Sequence, residues 1–123
     1  MAHTIIPTKH PHIAHIKMSG DLTYEDMTCD TELGLGQGKP IFVICNLQRM
    51  NLNLPDTFVE HARMSFIINP DLQHVAVITT SKLMRSVALT AAALSARRAK
   101  ISVHDSEADA EACLMGMIRQ KGL

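Results

Sequence analysis

The sequence predicts an α/β fold, in which a mixed, mainly parallel sheet of about five strands is flanked by about four helices. Two apolar runs carry most of that expectation. Ile41-Phe42-Val43-Ile44-Cys45 and Val75-Ala76-Val77-Ile78 are short, rich in β-branched residues and bounded by breakers. Runs without alternation suit strands covered on both faces. The third observation is order: strand-like and helix-like segments alternate along the chain, which implies crossovers and parallel pairing.

A first strand lies near residues 3–6 and ends at Pro7. A second covers residues 12–18, where alternation is imperfect. Thr23 with Asp26 three residues on resembles a capping box, which predicts a helix over residues 24–33. The helix breaks in Gly34-Leu35-Gly36-Gln37-Gly38, a loop that turns a helix into the strand beginning at Ile41. That strand leads into a loop beginning at Asn46. Pro55 suits the first turn of a second helix, with Phe58, Ala62, Met64 and Phe66 or Ile67 on its apolar face and Pro70 closing the segment. The Val75 strand comes next. Ser81 then caps a third helix in which Leu83, Val87, Ala91 and Leu94 recur at helical spacing. Residues 100–103 form a short strand nearer an edge. Ser106, with Asp109, caps a final helix whose inward face holds Ala110, Leu114, Met117 and Ile118, and Gly122 stops it.

Composition narrows the function classes. A chain of 123 residues fits one domain, with residues 1–11 as a loosely attached amino-terminal segment. Twelve basic and twelve acidic side chains cancel, so no global field draws the protein to nucleic acid. No apolar run reaches the roughly 18 residues of a membrane span. The start, MAHTIIPTKHPH, lacks a basic stretch followed by an apolar one, so no secretory signal is expected. Three cysteines at spacings of 16 and 68 make neither a disulfide framework nor a zinc pattern. A cytoplasmic protein without a cofactor is the expectation. Charge is nonetheless uneven. Asp21, Glu25, Asp26, Asp30 and Glu32 lie in a stretch without cations, and Lys82, Arg85, Arg97, Arg98 and Lys100 in one without acids. These are either two solvated helix faces or the two poles of a docking dipole.

Candidate chemistry is sparse. Cys45 sits in the most buried strand, and Cys29 and Cys113 have no histidine nearby in sequence, so all three read as structural and no catalytic residue is expected. His3, His10, His12 and His15 cluster near the amino terminus without an adjacent acidic or cysteine ligand, and His61, His74 and His104 are scattered; no metal site is expected. The strand ends are more informative, because ligands of open parallel sheets settle there. After the Val75 strand come Thr79, Thr80 and Ser81, then Lys82 and Arg85 in the first turn of a helix. Hydroxyls, free N–H groups and two cations there suit an anion or a partner's carboxylate. The alternative is that Ser81 caps the helix while Lys82 and Arg85 solvate its outer face. After the Ile41 strand, Arg49, Met50, Leu52, Asn53 and Thr57 form a partner-binding candidate with an apolar centre and a polar rim.

Three phrases in fixed order carry a family resemblance over about residues 12–120. They are Met18-Ser19-Gly20-Asp21-Leu22-Thr23 before the first helix, Ile41-Phe42-Val43-Ile44-Cys45-Asn46-Leu47 at the central strand, and Val103-His104-Asp105-Ser106-Glu107-Ala108-Asp109-Ala110 at the last strand and helix entry. The chain resembles the STAS superfamily, specifically its SpoIIAA-like, anti-sigma-factor-antagonist-like branch. The resemblance implies a STAS-like mixed sheet and a non-enzymatic regulatory module that works by protein–protein interaction. It also implies an alternative, since related domains share a layout with lipid-carrying CRAL-TRIO domains: a carrier or sensor of a lipid or other small apolar or anionic ligand. The expected partner is a regulatory protein, and a homodimer is a further expected assembly. The sequence departs from the family pattern at two places. Asn46 replaces the aspartate that ends the family's central strand, and the position of the serine whose phosphorylation controls docking in that family falls in Asn53-Leu54-Pro55-Asp56-Thr57, where Thr57 alone offers a hydroxyl. An ordinary phosphoserine switch is therefore not expected.

Overall fold

The structure, a computed structural model, describes residues 2–51, 69–94 and 101–123. The helix expected from Pro55 onward, and with it Leu52, Asn53 and Thr57, lies outside the described residues. So do Arg97, Arg98 and Lys100.

Five strands form one sheet in sequential order: β1 Ala2–Ile6, β2 Ile13–Gly20, β3 Ile41–Met50, β4 Leu72–Ile78 and β5 Ile101–His104. β1 runs antiparallel to β2, and every later pair is parallel. The amino-terminal segment, expected to hang loosely, is tied into the sheet. β1 pairs with β2 from Ala2↔Ser19 to Ile6↔His15. Three helices accompany the sheet among the described residues: α1 Tyr24–Met27, α2 Lys82–Leu94 and α3 Glu107–Gln120. The carboxyl ends of β2, β4 and β5 thus precede the amino ends of α1, α2 and α3, which brings three chain turns to one rim.

The continuous apolar runs work as expected, one residue to each face in turn. Val43, Cys45, Val75 and Val77 join Ile16, Met18, Leu33, Leu35 and Ala88 in a core on the face that carries α2 and the segment following α1. Phe42, Ile44, Ala76 and Ile78 join Ala110, Leu114 and Ile118 in a second core beneath α3. No alternation appears over residues 41–47 and 74–78 because neither face of these stretches meets water.

Two elements differ from expectation. The first helix stops at Met27 instead of residue 33. Its capping box is present, with Thr23 and Asp26 satisfying each other's backbone N–H. The Thr28 hydroxyl then donates to the Tyr24 carbonyl at 3.0 Å, and Thr28-Cys29-Asp30-Thr31 offers side chains that compete for backbone partners. The chain turns, yet Cys29, Leu33 and Leu35 still reach the core. The second difference is β3, which runs four residues past its last partner on β4 and reaches Met50. β2 supports this extension, pairing Ser19↔Arg49 and Gly20↔Met50. Asn46, Arg49 and Met50 are therefore strand residues, not loop residues.

The glycine loop has a specific anchor. Gly36 and Gly38 take φ of 91° and 73°, which other residues rarely adopt. Their N–H groups donate to one carboxylate oxygen of Asp71, at 2.8 and 2.9 Å. The loop that starts β3 is thus fastened to the turn that starts β4.

Candidate functional site at the strand-end rim

The rim is built where β3 and β4 end. Thr79 is buried; its N–H donates to the His104 carbonyl at 3.0 Å, closing β4 against β5. The Thr79 hydroxyl accepts the Ser81 N–H at 3.1 Å, and the Ser81 hydroxyl accepts the Met84 N–H at 3.2 Å. These two hydroxyls are occupied in shaping the turn and capping α2. Thr80, Lys82 and Arg85 are exposed. Of the expected anion-binding group, the structure thus leaves Thr80 and the two cations facing solvent.

α2 itself is the unusual surface. Met84 and Ala88 face the core, whereas Leu83 is 55% exposed and Leu89 50% exposed. Lys82, Arg85, Ser86, Thr90 and Ala93 share this outer side, and the helix contains no acidic residue. Sequence periodicity counts Leu83 among the inward positions; the structure turns it out and puts Met84 in its place. Across the rim, Arg49 is exposed, and Met50 is half-buried and packed on the core beside Leu47.

The other face of the rim carries a polar cluster that sequence reasoning does not assemble. Glu107, the first residue of α3, accepts from Asn46 Nδ2 at 3.2 Å, and its Oε1 lies 3.3 Å from Lys17 Nζ and 3.6 Å from His15 Nε2. Burial alone would raise the Glu107 carboxyl, but hydrogen bonds from Lys17 and Asn46 outweigh it and hold the group below the ordinary glutamate range. Burial pushes the His15 imidazole down, and Glu107 opposes this only in part. The departure at Asn46 now has a reason: an aspartate there would set a second carboxylate against Glu107.

The histidines have individual partners. His3 Nδ1 lies 2.8 Å from Asp26 and Nε2 2.8 Å from Glu32, so the acidic stretch is bridged to β1 and is more than a solvated face. His12 Nδ1 donates to the Pro40 carbonyl at 2.7 Å. His74 and His104, scattered in sequence, meet at Ser102, whose hydroxyl lies 2.9 Å from His74 Nε2 and 2.7 Å from His104 Nε2. Their approach comes from register, because Ala76↔Ser102 and Ile78↔His104 put alternate residues of β4 and β5 on one face. One hydroxyl donating to one ring and accepting from the other links two strands; it is not the nucleophile–base–orienter relay of a catalytic triad. Among the described residues, no group of three metal-ligating side chains could hold an ion. Burial pushes the Cys29 and Cys45 thiols up to about 12, so neither presents a thiolate near neutral pH.

One antiparallel edge pair, a run of parallel pairs, helices at the strand ends and a carboxyl-terminal helix across the back together define a SpoIIAA-like α/β fold. The chain is similar to the crystal structure of an uncharacterized DUF3478-family protein with a SpoIIAA-like fold from Shewanella loihica PV-4, at TM-score 0.67 and 19% identity, over 92% of each chain. No protein-family model matches the chain, and no curated protein does. No helix of the described residues is long and apolar enough to cross a membrane.

Proposed function

We propose that this protein is a non-enzymatic regulatory module that docks through the strand-end rim and the outer side of α2 onto an acidic, partly apolar surface of a partner protein. The observation that carries this reading is the pair of exposed leucines, Leu83 and Leu89, set beside Lys82 and Arg85 on a helix without acids. Large apolar side chains held in water at a rim of cations suit a contact patch, where cations steer the encounter and leucines supply the buried centre. The proposed surface also includes Arg49, Leu52, Asn53 and Thr57, the partner-binding candidates of the sequence. Three free cysteines, two of them buried, are in line with a reducing, cytoplasmic setting.

Crosslinking tests this reading. In lysate of the native host, an amine-reactive reagent should join Lys82 to acidic-surfaced partners, and added salt should weaken the yield. Crosslinks confined to Lys17 and Lys121, on the α3 side of the molecule, would contradict it.

A further inference from the structure

On the face opposite α2, α3 covers β3 and β4 and leaves a hollow of about 430 Å³ beside β2. The loop from Pro7 to His10 forms one wall, α3 forms the other through Glu111 and Met115, and Ile13, His15 and Ile44 make the floor. This site lies beyond the docking surface proposed above and does not depend on it.

Three features specify what it would hold. The loop wall is preformed: the Thr8 hydroxyl donates to the Ile13 carbonyl at 2.6 Å, and the Ile13 N–H donates to the His10 carbonyl at 3.2 Å. The His12 N–H donates to His10 Nδ1 at 3.1 Å, so neutral His10 carries its proton on Nε2 and keeps that N–H as a donor. With Lys9 beside it, this wall presents a cation and a fixed donor, the pairing that suits a carboxylate. The floor is apolar at Ile13 and Ile44, with Met115 at its edge, which suits a hydrocarbon body. Between them lies His15, whose side chain is 9% exposed and whose buried Nε2 has no hydrogen-bond partner. That nitrogen is sealed from the hollow, with Glu107 Oε1 3.6 Å away, so His15 contributes its ring to the floor and no free donor or acceptor. Glu111 on the far wall sets an upper limit on negative charge, so a phosphate dianion is disfavoured.

We infer that this hollow is a binding site for a small organic acid with one carboxylate, held by Lys9 and His10, and an apolar body lying on Ile13, Ile44 and Met115. The test is an NMR titration of the full-length, isotope-labelled protein with benzoate, benzyl alcohol and inorganic phosphate. Benzoate should give saturable shifts in residues 9–15 and 111–115 and in the His15 ring nitrogens. Benzyl alcohol should bind at least about tenfold more weakly, and phosphate should give no saturable shift there. Replacing Lys9 and His10 together by alanine should weaken benzoate by about tenfold or more while the spectrum stays dispersed. Glu111→Gln, on the opposite wall, should tighten it. Equal affinity for acid and alcohol, saturable phosphate shifts at the same residues, or benzoate binding indifferent to these substitutions would overturn the inference, as would the absence of saturable shifts.

Discussion

Two histidines on neighbouring strands respond to pH in opposite senses. For His3, burial alone would lower the pKa, but hydrogen bonds to Asp26 and Glu32 outweigh it and raise it. A raised folded pKa gives stability that is full below the unfolded value of about 6.5 and fades as pH rises through the raised one. The stability difference between the protein and His3→Ala should accordingly be larger at mildly acidic than at mildly alkaline pH, as read by urea unfolding. For His15, burial lowers the pKa, so its contribution is present above about pH 6.5 and lost as pH falls through the lowered value. His15→Leu should blunt that acid-side loss. It should also leave neutral-pH stability unchanged or raised by about 1 kcal/mol, because it removes a buried nitrogen without a partner. At Asn46 the expectation is the reverse: Asn46→Asp should cost about 1–2 kcal/mol in the same assay, by replacing the donor to Glu107 with a like charge. None of these contacts could be read from the chain. His3 lies 23 residues from Asp26, and Asn46 lies 61 from Glu107; only the packing of helix starts against the strands joins them.

Local signals announce the helix starts well and the helix ends poorly. The Thr23 and Ser106 caps form as their spacing suggests, because a cap is a bond between residues three apart. Helix length depends instead on the residues downstream, and after Met27 the side chains of Thr28 and its neighbours redirect the backbone. The strand ends are obscure for a related reason: β3 reaches Met50 because β2 continues beside it as far as Gly20. Leu83 defeats the periodicity because an apolar stripe does not say which of its edges meets the core. The elements also differ in what they support. Leu114 of α3 is fully buried beneath the sheet, so Leu114→Ala should cost about 3 kcal/mol in chemical unfolding. Asp71→Ala should cost about 1–2 kcal/mol, since it releases two loop N–H groups that donate to a charged acceptor.

As a whole, the molecule separates its two faces. One core binds the sheet to α2 and to the segment from Cys29 to Leu35, and the other binds it to α3. This arrangement is legible in outline from two apolar runs and their order, since a strand that buries both faces requires helices on both. The outer side of α2 and the hollow by α3 therefore sit on opposite sides of a shared sheet. The docking role rests on α2 being a contact surface, and substitution of an exposed leucine tests that directly. In sedimentation velocity and affinity enrichment from native lysate, Leu89→Asp combined with Lys82→Glu should abolish the association that the unmodified protein shows, with circular dichroism and thermal melting unchanged. Association that survives both substitutions in a folded protein would contradict the docking role.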